Sequence, residues 1–269
     1  MSGTRLARIL MALLLAVAGH VNAAPASVFM EDLTWTELRD AVRGGHATVL
    51  VPIGGTEQSG PHLALGKHNV RARVLAGRIA RSLGNALVAP VIAYVPEGSI
   101  EPPTEHMRFP GTISIAPATF AALLDDTARS LRAAGFRDIV FLGDHGGYQK
   151  QERAVADRLN RAWAKTGVRA HAIEAYYRAA DAGFANILRG RGYTDAEIGV
   201  HAGLADTALM LAVDPKLVRS EQLATAATAG AASGVRGDPR RASAELGALG
   251  VDAIVAASVQ AIRRAVTRP

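Results

Sequence analysis

The sequence predicts an α/β fold with a mostly parallel sheet, and three observations predict it. Short apolar runs recur along the chain, stretches with apolar residues at helical spacing alternate with them, and Gly- or Pro-rich loops separate the two. Short runs that are apolar throughout are strands buried on both faces, so helices must cover both sides of the sheet.

Residues 35–42 read as a first helix and 47–53 as a first strand. A loop holding Gly54, Gly55, Gly60, Pro61 and Gly66 leads into a helix over 69–83, then a strand near 86–92 and a Pro-rich loop through Pro110. Phe120, Leu123, Leu124, Thr127 and Leu131 fall on one helical face, which predicts a helix over 117–134. A short strand at 139–142 precedes a helix over 151–165, with Val155, Leu159 and Trp163 on one face, and a strand over 168–173 follows. The segment from Val200 to Thr207 opens a helix running through Leu211. Residues 224–237, rich in Ala, Gly, Ser and Thr, are expected to form an extended surface segment, and 242–264 a closing helix. No repeat or composition shift marks a boundary, so 24–269 is read as a single domain.

About half the residues are apolar and a fifth charged, ordinary globular composition. The absence of cysteine excludes thiolate metal sites, a Cys nucleophile and disulfides, so any metal must be held by His, Asp and Glu. Arg5 and Arg8 precede an apolar run over 9–18, and Val21-Asn22-Ala23 offers a small-residue cleavage site before Ala24. Residues 1–23 therefore read as a secretory signal peptide, shorter than a comfortable membrane span; an uncleaved anchor is the alternative. No later segment reads as long and apolar enough to cross a bilayer, so the mature chain is expected to be periplasmic or secreted, with no membrane attachment after cleavage. Loss of Arg5 and Arg8 lowers the formal charge of +6 by two. The remaining arginines are scattered and lack interleaved aromatics, which argues against nucleic acid as a partner.

In open parallel sheets ligands bind beyond the carboxyl ends of the strands. Two loops at such ends are dense in donors: Gly54-Gly55-Thr56-Glu57-Gln58-Ser59-Gly60-Pro61-His62, ending at Lys67-His68-Asn69, and Gly143-Asp144-His145-Gly146-Gly147. Glu57, His68 and His145 can converge from them, and two imidazoles with one carboxylate leave a coordination position open for water. Two further segments carry His201 with Asp206, and Glu105 with His106. Five of the seven histidines beyond the signal segment lie in these four stretches; His46 and His171 do not. Each has a plainer reading, since loop histidines often serve only as hydrogen-bond donors and paired glycines only permit tight turns. Neither loop has the glycine spacing of a dinucleotide or P-loop fingerprint, and Ser59 is not in a G-x-S-x-G elbow.

Together these segments resemble the creatininase family. The resemblance rests on Leu33-Thr34-Trp35-Thr36-Glu37, Val51-Pro52-Ile53-Gly54-Gly55-Thr56-Glu57-Gln58, Phe109-Pro110-Gly111-Thr112-Ile113-Ser114, Gly143-Asp144-His145-Gly146-Gly147, His201-Ala202-Gly203 with Asp206-Thr207, and Gly237-Asp238-Pro239. It implies a three-layer α/β/α fold, a homo-oligomer, and a two-metal site that activates water against a cyclic or linear amide. Carried over by position, Glu57 and His145 match metal ligands, Asp206 falls where the family usually has a glutamate that is a ligand in some members, and His201 matches a histidine implicated in catalysis. Two departures stand out. Ser59 replaces the histidine of the family's Glu-Gln-His loop, and His68 falls at its bridging aspartate. An imidazole is a poor bridge between two ions, whereas a carboxylate spans them with two oxygens.

The expected site is therefore mononuclear, held by Glu57, His68 and His145, with Asp206 a further ligand and His62 a possible substitute. The ion is divalent: zinc, with manganese or iron(II) as alternatives. His201, Glu105 and Asp206 are the candidate proton shuttles for hydrolysis of a small amide. The competing expectations are a non-catalytic exported metal- or ligand-binding protein that keeps the fold, and a hydrolase of lactones or other ester-like bonds.

Overall fold

The computed structural model describes residues 25–267, and the expected signal segment lies outside them. Strands β1 (Thr48–Ile53), β2 (Ala86–Val88), β3 (Asp138–Gly143) and β4 (Arg169–Ala172) form one sheet in the order β2-β1-β3-β4, with every pairing parallel. Ile53 of β1 lies opposite Gly143 of β3, so the loops that follow these strands leave the same edge side by side.

All residues of β1 and β3 are buried, and their alternation sorts them into two cores. Val49, Val51, Ile53, Ile139 and Phe141 pack with Phe120 and Leu124 of a helix over Pro117–Ala133 and with Val155 and Leu159 of another over Gln149–Ala162. Leu50, Val140 and Leu142 face the other way, onto Leu75 and Ile79 of the helix Lys67–Leu83, Leu204 of Leu204–Val213, and Ile254 of Ala244–Val266. The result is the α/β fold, helix layers on both faces of a parallel sheet. In chain order the α-helices are α1 (Trp35–Arg43), α2 (Lys67–Leu83), α3 (Pro117–Ala133), α4 (Gln149–Ala162), α5 (Glu174–Arg178), α6 (Phe184–Arg189), α7 (Asp195–Ile198), α8 (Leu204–Val213), α9 (Leu223–Ala229) and α10 (Ala244–Val266).

Local chemistry sets the helix starts. Thr34 accepts the Glu37 N–H while Glu37 reaches back to the Thr34 N–H at 2.7 Å, a reciprocal cap for α1. Pro117 opens α3, where its missing N–H costs nothing.

Two expectations are corrected. Residues 224–237 are not an extended segment: α9 and a 3₁₀ turn at Gly230–Ser233 occupy most of it, with Ala226 and Val235 buried. Alanine is the strongest helix former, and its small side chain lets this helix pack closely. By length and composition α10 is long and apolar enough to cross a membrane. In the fold one face of it packs on the protein: a Cβ at Gly247 would lie 1.8 Å from the Ala208 carbonyl oxygen, so α10 crosses α8 in backbone contact.

Candidate metal centre

Four donors converge at the carboxyl edge of the sheet. Glu57 comes from the loop after β1, Glu97 from the irregular segment after β2, His106 from a 3₁₀ turn over Glu105–Arg108, and His145 from the loop after β3. One ligand atom from each lies within 4.8 Å of all the others.

Each is held by its neighbours. Beyond β2 the chain stays beside the sheet through a single bridge, Ile92 to Ile53; Val95 then bridges Ser114 of a neighbouring loop, and the Glu97 N–H donates to Ser114 Oγ at 3.0 Å. Gly55, at φ 153°, makes room for this carboxylate, because a Cβ there would lie 2.4 Å from Glu97 Oε1. The His145 N–H donates to the Tyr148 hydroxyl at 3.1 Å, and that hydroxyl reaches the Gly54 carbonyl oxygen at 2.6 Å, tying the two loops together. Gln58 Nε2 lies 3.2 Å from His106 Nδ1 and fixes that ring.

The side chain of Glu57 divides the cluster. Its Oε2 faces His106 Nε2 at 3.3 Å and His145 Nε2 at 3.7 Å, while His145 Nδ1 lies 3.5 Å from Glu97 Oε2. Glu57 Oε2 and both oxygens of Glu97 are buried without a hydrogen-bond partner. Oxygens stranded in this way are costly unless something positive binds them. Burial, reinforced by the facing Glu57, pushes the Glu97 carboxyl up to about 9. Burial likewise lowers His145 to about 4 and also lowers His106, so both rings are neutral at pH 7 and carry a lone pair.

On the other side everything is paired. Glu57 Oε1 meets His68 Nε2 at 2.8 Å and Lys67 Nζ at 3.4 Å. Asp144 takes His68 Nδ1 at 2.5 Å, Arg71 Nε at 2.9 Å and the Tyr176 hydroxyl at 2.7 Å. Asp206 takes Lys67 Nζ and Arg71 Nη1, both at 3.1 Å, and the Ala202 N–H at 2.9 Å. Burial pushes all three carboxyls up, but their cationic neighbours overcome it: His68 and Lys67 for Glu57, Arg71 and His68 for Asp144, Lys67 and Arg71 for Asp206. All three stay ionised. Burial and Lys67 act to lower His68, and Glu57 and Asp144 reverse that, leaving it raised.

The expected ligands Glu57, His68, His145 and Asp206 thus share one cluster, but the structure divides them. Glu57 and His145 line the four-donor group. His68 and Asp206 stand behind Glu57; both ring nitrogens of His68 face carboxylates, Glu57 and Asp144. His201 does reach the site, with Nδ1 3.7 Å from Glu57 Oε1 and Nε2 donating to the Gln58 carbonyl oxygen at 2.9 Å. Glu105, in a left-handed conformation at φ 46°, is exposed at the mouth. His62 lies apart, hydrogen-bonded to Thr207 Oγ1 at 2.9 Å. Sequence reasoning missed Glu97, Lys67 and Arg71. Glu97 carried the signal that marked Glu57, a carboxylate just past a strand end, but proline-rich sequence hid the edge it shares.

A cavity of about 310 Å³ opens onto this group, lined by Gln58, Glu105, His106, Arg108, His201 and Arg236 among others. Among the described residues, neither Arg108 nor Arg236 forms an ion pair with an acidic side chain. A second cavity of about 100 Å³ lies beside Asp206, Arg71 and Tyr177.

The family model described as creatinine amidohydrolase matches residues 31–262. A mycofactocin precursor peptide peptidase of Mycolicibacterium smegmatis is 34% identical over 210 residues, covering 75% of this chain and 73% of that protein. A creatinine amidohydrolase of Pseudomonas putida is 29% identical over 197 residues, covering 71% and 74%. A crystal structure of creatinine amidohydrolase superposes with a TM-score of 0.74 at 26% identity, covering 91% of this chain and 100% of that one. Two further creatininase structures, each with a TM-score of 0.72, are described as a manganese form and as a zinc–zinc form of a mutant. With the match running from the first helix almost to the end of the last, the chain is a member of the creatininase family of amidohydrolases.

Proposed function

We propose that this protein is a metal-dependent amidohydrolase whose single divalent ion is held by Glu57, Glu97, His106 and His145. One observation carries the reading: three buried carboxylate oxygens without hydrogen-bond partners sit beside two neutral imidazoles, with the four donors within 4.8 Å of one another. The set fits a divalent ion of the zinc or manganese type, which imidazole and carboxylate suit, and creatininase structures with each are known. When bound, such an ion polarises a carbonyl and lowers the pKa of water toward neutrality.

The chain's own groups do the rest. Glu97 and Glu57 supply the negative charge that the ion requires. His201 is the proton carrier we assign: its Nε2–H is fixed on the Gln58 carbonyl, so Nδ1 keeps a lone pair on the Glu57 side. Burial and then Lys67 lower it to about 3, so the ring is neutral at pH 7 and Nδ1 is free to take a proton and hand it to a leaving nitrogen. Asp206 positions this histidine, because its Oδ2 accepts the N–H of Ala202, the next residue, which sits at φ 53°. Glu105, Arg108 and Arg236 line the mouth, and the two arginines, unpaired with any acidic side chain among the described residues, favour a small amide that carries a carboxylate. The mycofactocin precursor peptide peptidases and creatinine amidohydrolases among the relatives share the cleavage of a C–N bond, and that class is the one we assign here. The signal-like residues 1–23 support export, and the family resemblance supports homo-oligomerisation.

The test is metal content of the purified protein followed by a screen of peptides and amino-acid amides, with and without a free carboxylate. The expected result is one equivalent per chain and hydrolysis that chelation abolishes and metal restores. Arg108→Ala/Arg236→Ala should raise KM for carboxylate-bearing substrates by about 10-fold, the scale of one lost charge-assisted contact, with little change for uncharged amides. No bound metal after reconstitution with zinc, manganese or iron(II) overturns the reading and leaves a non-catalytic binding protein.

A further inference from the structure

Lys67 is an unusual residue to find where it is. A lysine side chain is almost never fully buried unless paired, because an ammonium is strongly hydrated. Here the side chain has no exposure at all, and it opens helix α2 pointing into the cluster. Its Nζ lies between two carboxylates from different parts of the chain, 3.4 Å from Glu57 Oε1 and 3.1 Å from Asp206 Oδ2. One helical turn on, Arg71 joins Asp206 to Asp144, and between them His68 joins Asp144 to Glu57. The α2 start thus delivers three cationic or proton-donating groups to three acids, Glu57 and Asp144 fully buried and Asp206 partly so.

This arrangement has the charge pattern of a second metal site. Glu57 offers one oxygen to the four-donor group and the other to the far side, the way a carboxylate is shared between two cations, and Asp206 closes the far side. What stands between them is an ammonium fixed to the backbone. We propose that Lys67 is a built-in second cation: it fills the position a second divalent ion would take between Glu57 and Asp206, and so limits the centre to one metal. The inference rests on the mononuclear reading given above.

Two observations support this role over that of an ordinary buried ion pair. Lys67 is shared between two acids, one of which lines the four-donor group, so it neutralises charge at the centre and not merely in the core. It is also inaccessible, so it cannot touch a substrate and acts only through Glu57 and Asp206. It is a positioning residue: it holds the Glu57 carboxylate against the pull of an ion on Oε2 and keeps Asp206 ionised behind His201. The oxygens it separates would need to move in by about 1 Å each to reach the roughly 2.0–2.2 Å of a metal–carboxylate bond, a shift within reach of side chains freed from the ammonium.

The experiment counts metal. Wild-type protein, Lys67→Arg, Lys67→Ala, His68→Asp and Lys67→Ala/His68→Asp are titrated with manganese, and bound equivalents are read by elemental analysis and calorimetry, with circular dichroism confirming the fold of each. His68→Asp adds a carboxylate beside the Lys67 position, so it separates the effect of an extra ligand from that of the cation. The proposal expects one equivalent for wild type, Lys67→Arg and His68→Asp, and two for both variants that lack a cation at 67. A second equivalent in His68→Asp overturns it, because ligand identity and not Lys67 would then set the count. A single equivalent in both Lys67→Ala variants also overturns it. Should Lys67→Ala not fold, the uncharged polar Lys67→Gln takes its place, with a second and weaker equivalent expected and a single one overturning. Wild type with one equivalent but no second in the variants defeats this inference and leaves the hydrolase reading intact. Wild type with no metal defeats the hydrolase reading itself, and wild type with two defeats the Lys67 role alone.

Discussion

The two oxygens of Glu57 look into two different kinds of region. On the Oε1 side Lys67, His68, Arg71, Asp144, Asp206 and Tyr176 form a closed network in which each acid has at least two partners. On the Oε2 side Glu97, His106 and His145 surround oxygens that have none. Both sides combine imidazole with carboxylate, but only the closed side adds Lys67 and Arg71 as cations. The difference is one of satisfaction: a fully paired buried network rigidifies, and a partly satisfied one is a place where binding is still to happen. The same distinction separates His68, buried, from His145, partly buried, two imidazoles whose ring centroids lie 5.5 Å apart, one with raised and one with lowered pKa.

The largest expected effect comes from the residue both regions share. Glu57→Gln should abolish metal binding and lower hydrolysis by more than the roughly 10–100-fold that loss of a group behind a ligand costs, and it should destabilise the fold as well. Metal analysis and a thermal melt on one preparation check both; a variant that keeps its metal breaks the division drawn here. Asp144→Asn should act on the closed side alone. It leaves Arg71 and His68 short of a partner, and unpairing a buried charge costs on the order of 3–5 kcal/mol. Urea denaturation at pH 7 measures the loss, while bound metal in the folded protein should stay at one equivalent. The sign of its pH dependence follows from the lowered carboxyl: the wild-type contribution is complete above the unfolded value of about 3.9 and is lost as pH falls through the folded value. The two denaturation curves should therefore converge in acid.

Glu97→Gln should act on the open side, with opposite signs for metal and fold. A carboxyl raised to about 9 in the metal-free protein is protonated when folded and ionised when unfolded at pH 7, so it costs stability progressively above pH ~4.3. The amide removes that cost, and the metal-free variant should be more stable than wild type by on the order of 1–3 kcal/mol while binding metal worse. Equal stability of the two at pH 8 defeats the argument. Gly55→Ala is the mildest. Its Cβ would collide with Glu97 Oε1, and the displaced carboxylate should weaken metal affinity by about 10-fold, the scale of a disturbed ligand environment, as titration against a competing chelator can show.

How far all this was legible depends on what each residue reports locally. The strands β1 and β3 announce themselves because burial on both faces demands unbroken apolar runs, and Glu57 and His145 follow because they stand just past those runs. The end of β2 is less visible: after Val88 the chain follows β1 through the Ala89 N–H on the Leu50 carbonyl and an isolated bridge at Ile92, and prolines break the pattern, so Glu97 was hidden in what reads as a loop. Lys67 was illegible for a different reason, since a lysine at the first position of a helix is ordinarily a solvated one, and only tertiary packing against Asp206, far along the chain, buries it. His68 was read as a ligand because imidazole ligates metals; its two carboxylate partners, one of them Asp144 on β3's loop, are a long-range fact. Short helices α5, α6 and α7 carry too few turns to leave a period.

The backbone contact at Gly247 bears on how this centre stays assembled. Helix α8 begins at Leu204 and carries Asp206 in its first turn, so whatever fixes α8 also fixes the acid that anchors Lys67 and the His201 turn. With the Ala208 carbonyl pressed against a residue that has no side chain, α8 has no room to slide or roll on α10. A missing methyl group on the neighbouring helix thus acts as a locating pin for the chemistry, and alanine at 247 would be felt first as a loss of alignment at Asp206, two residues from the Ala208 contact.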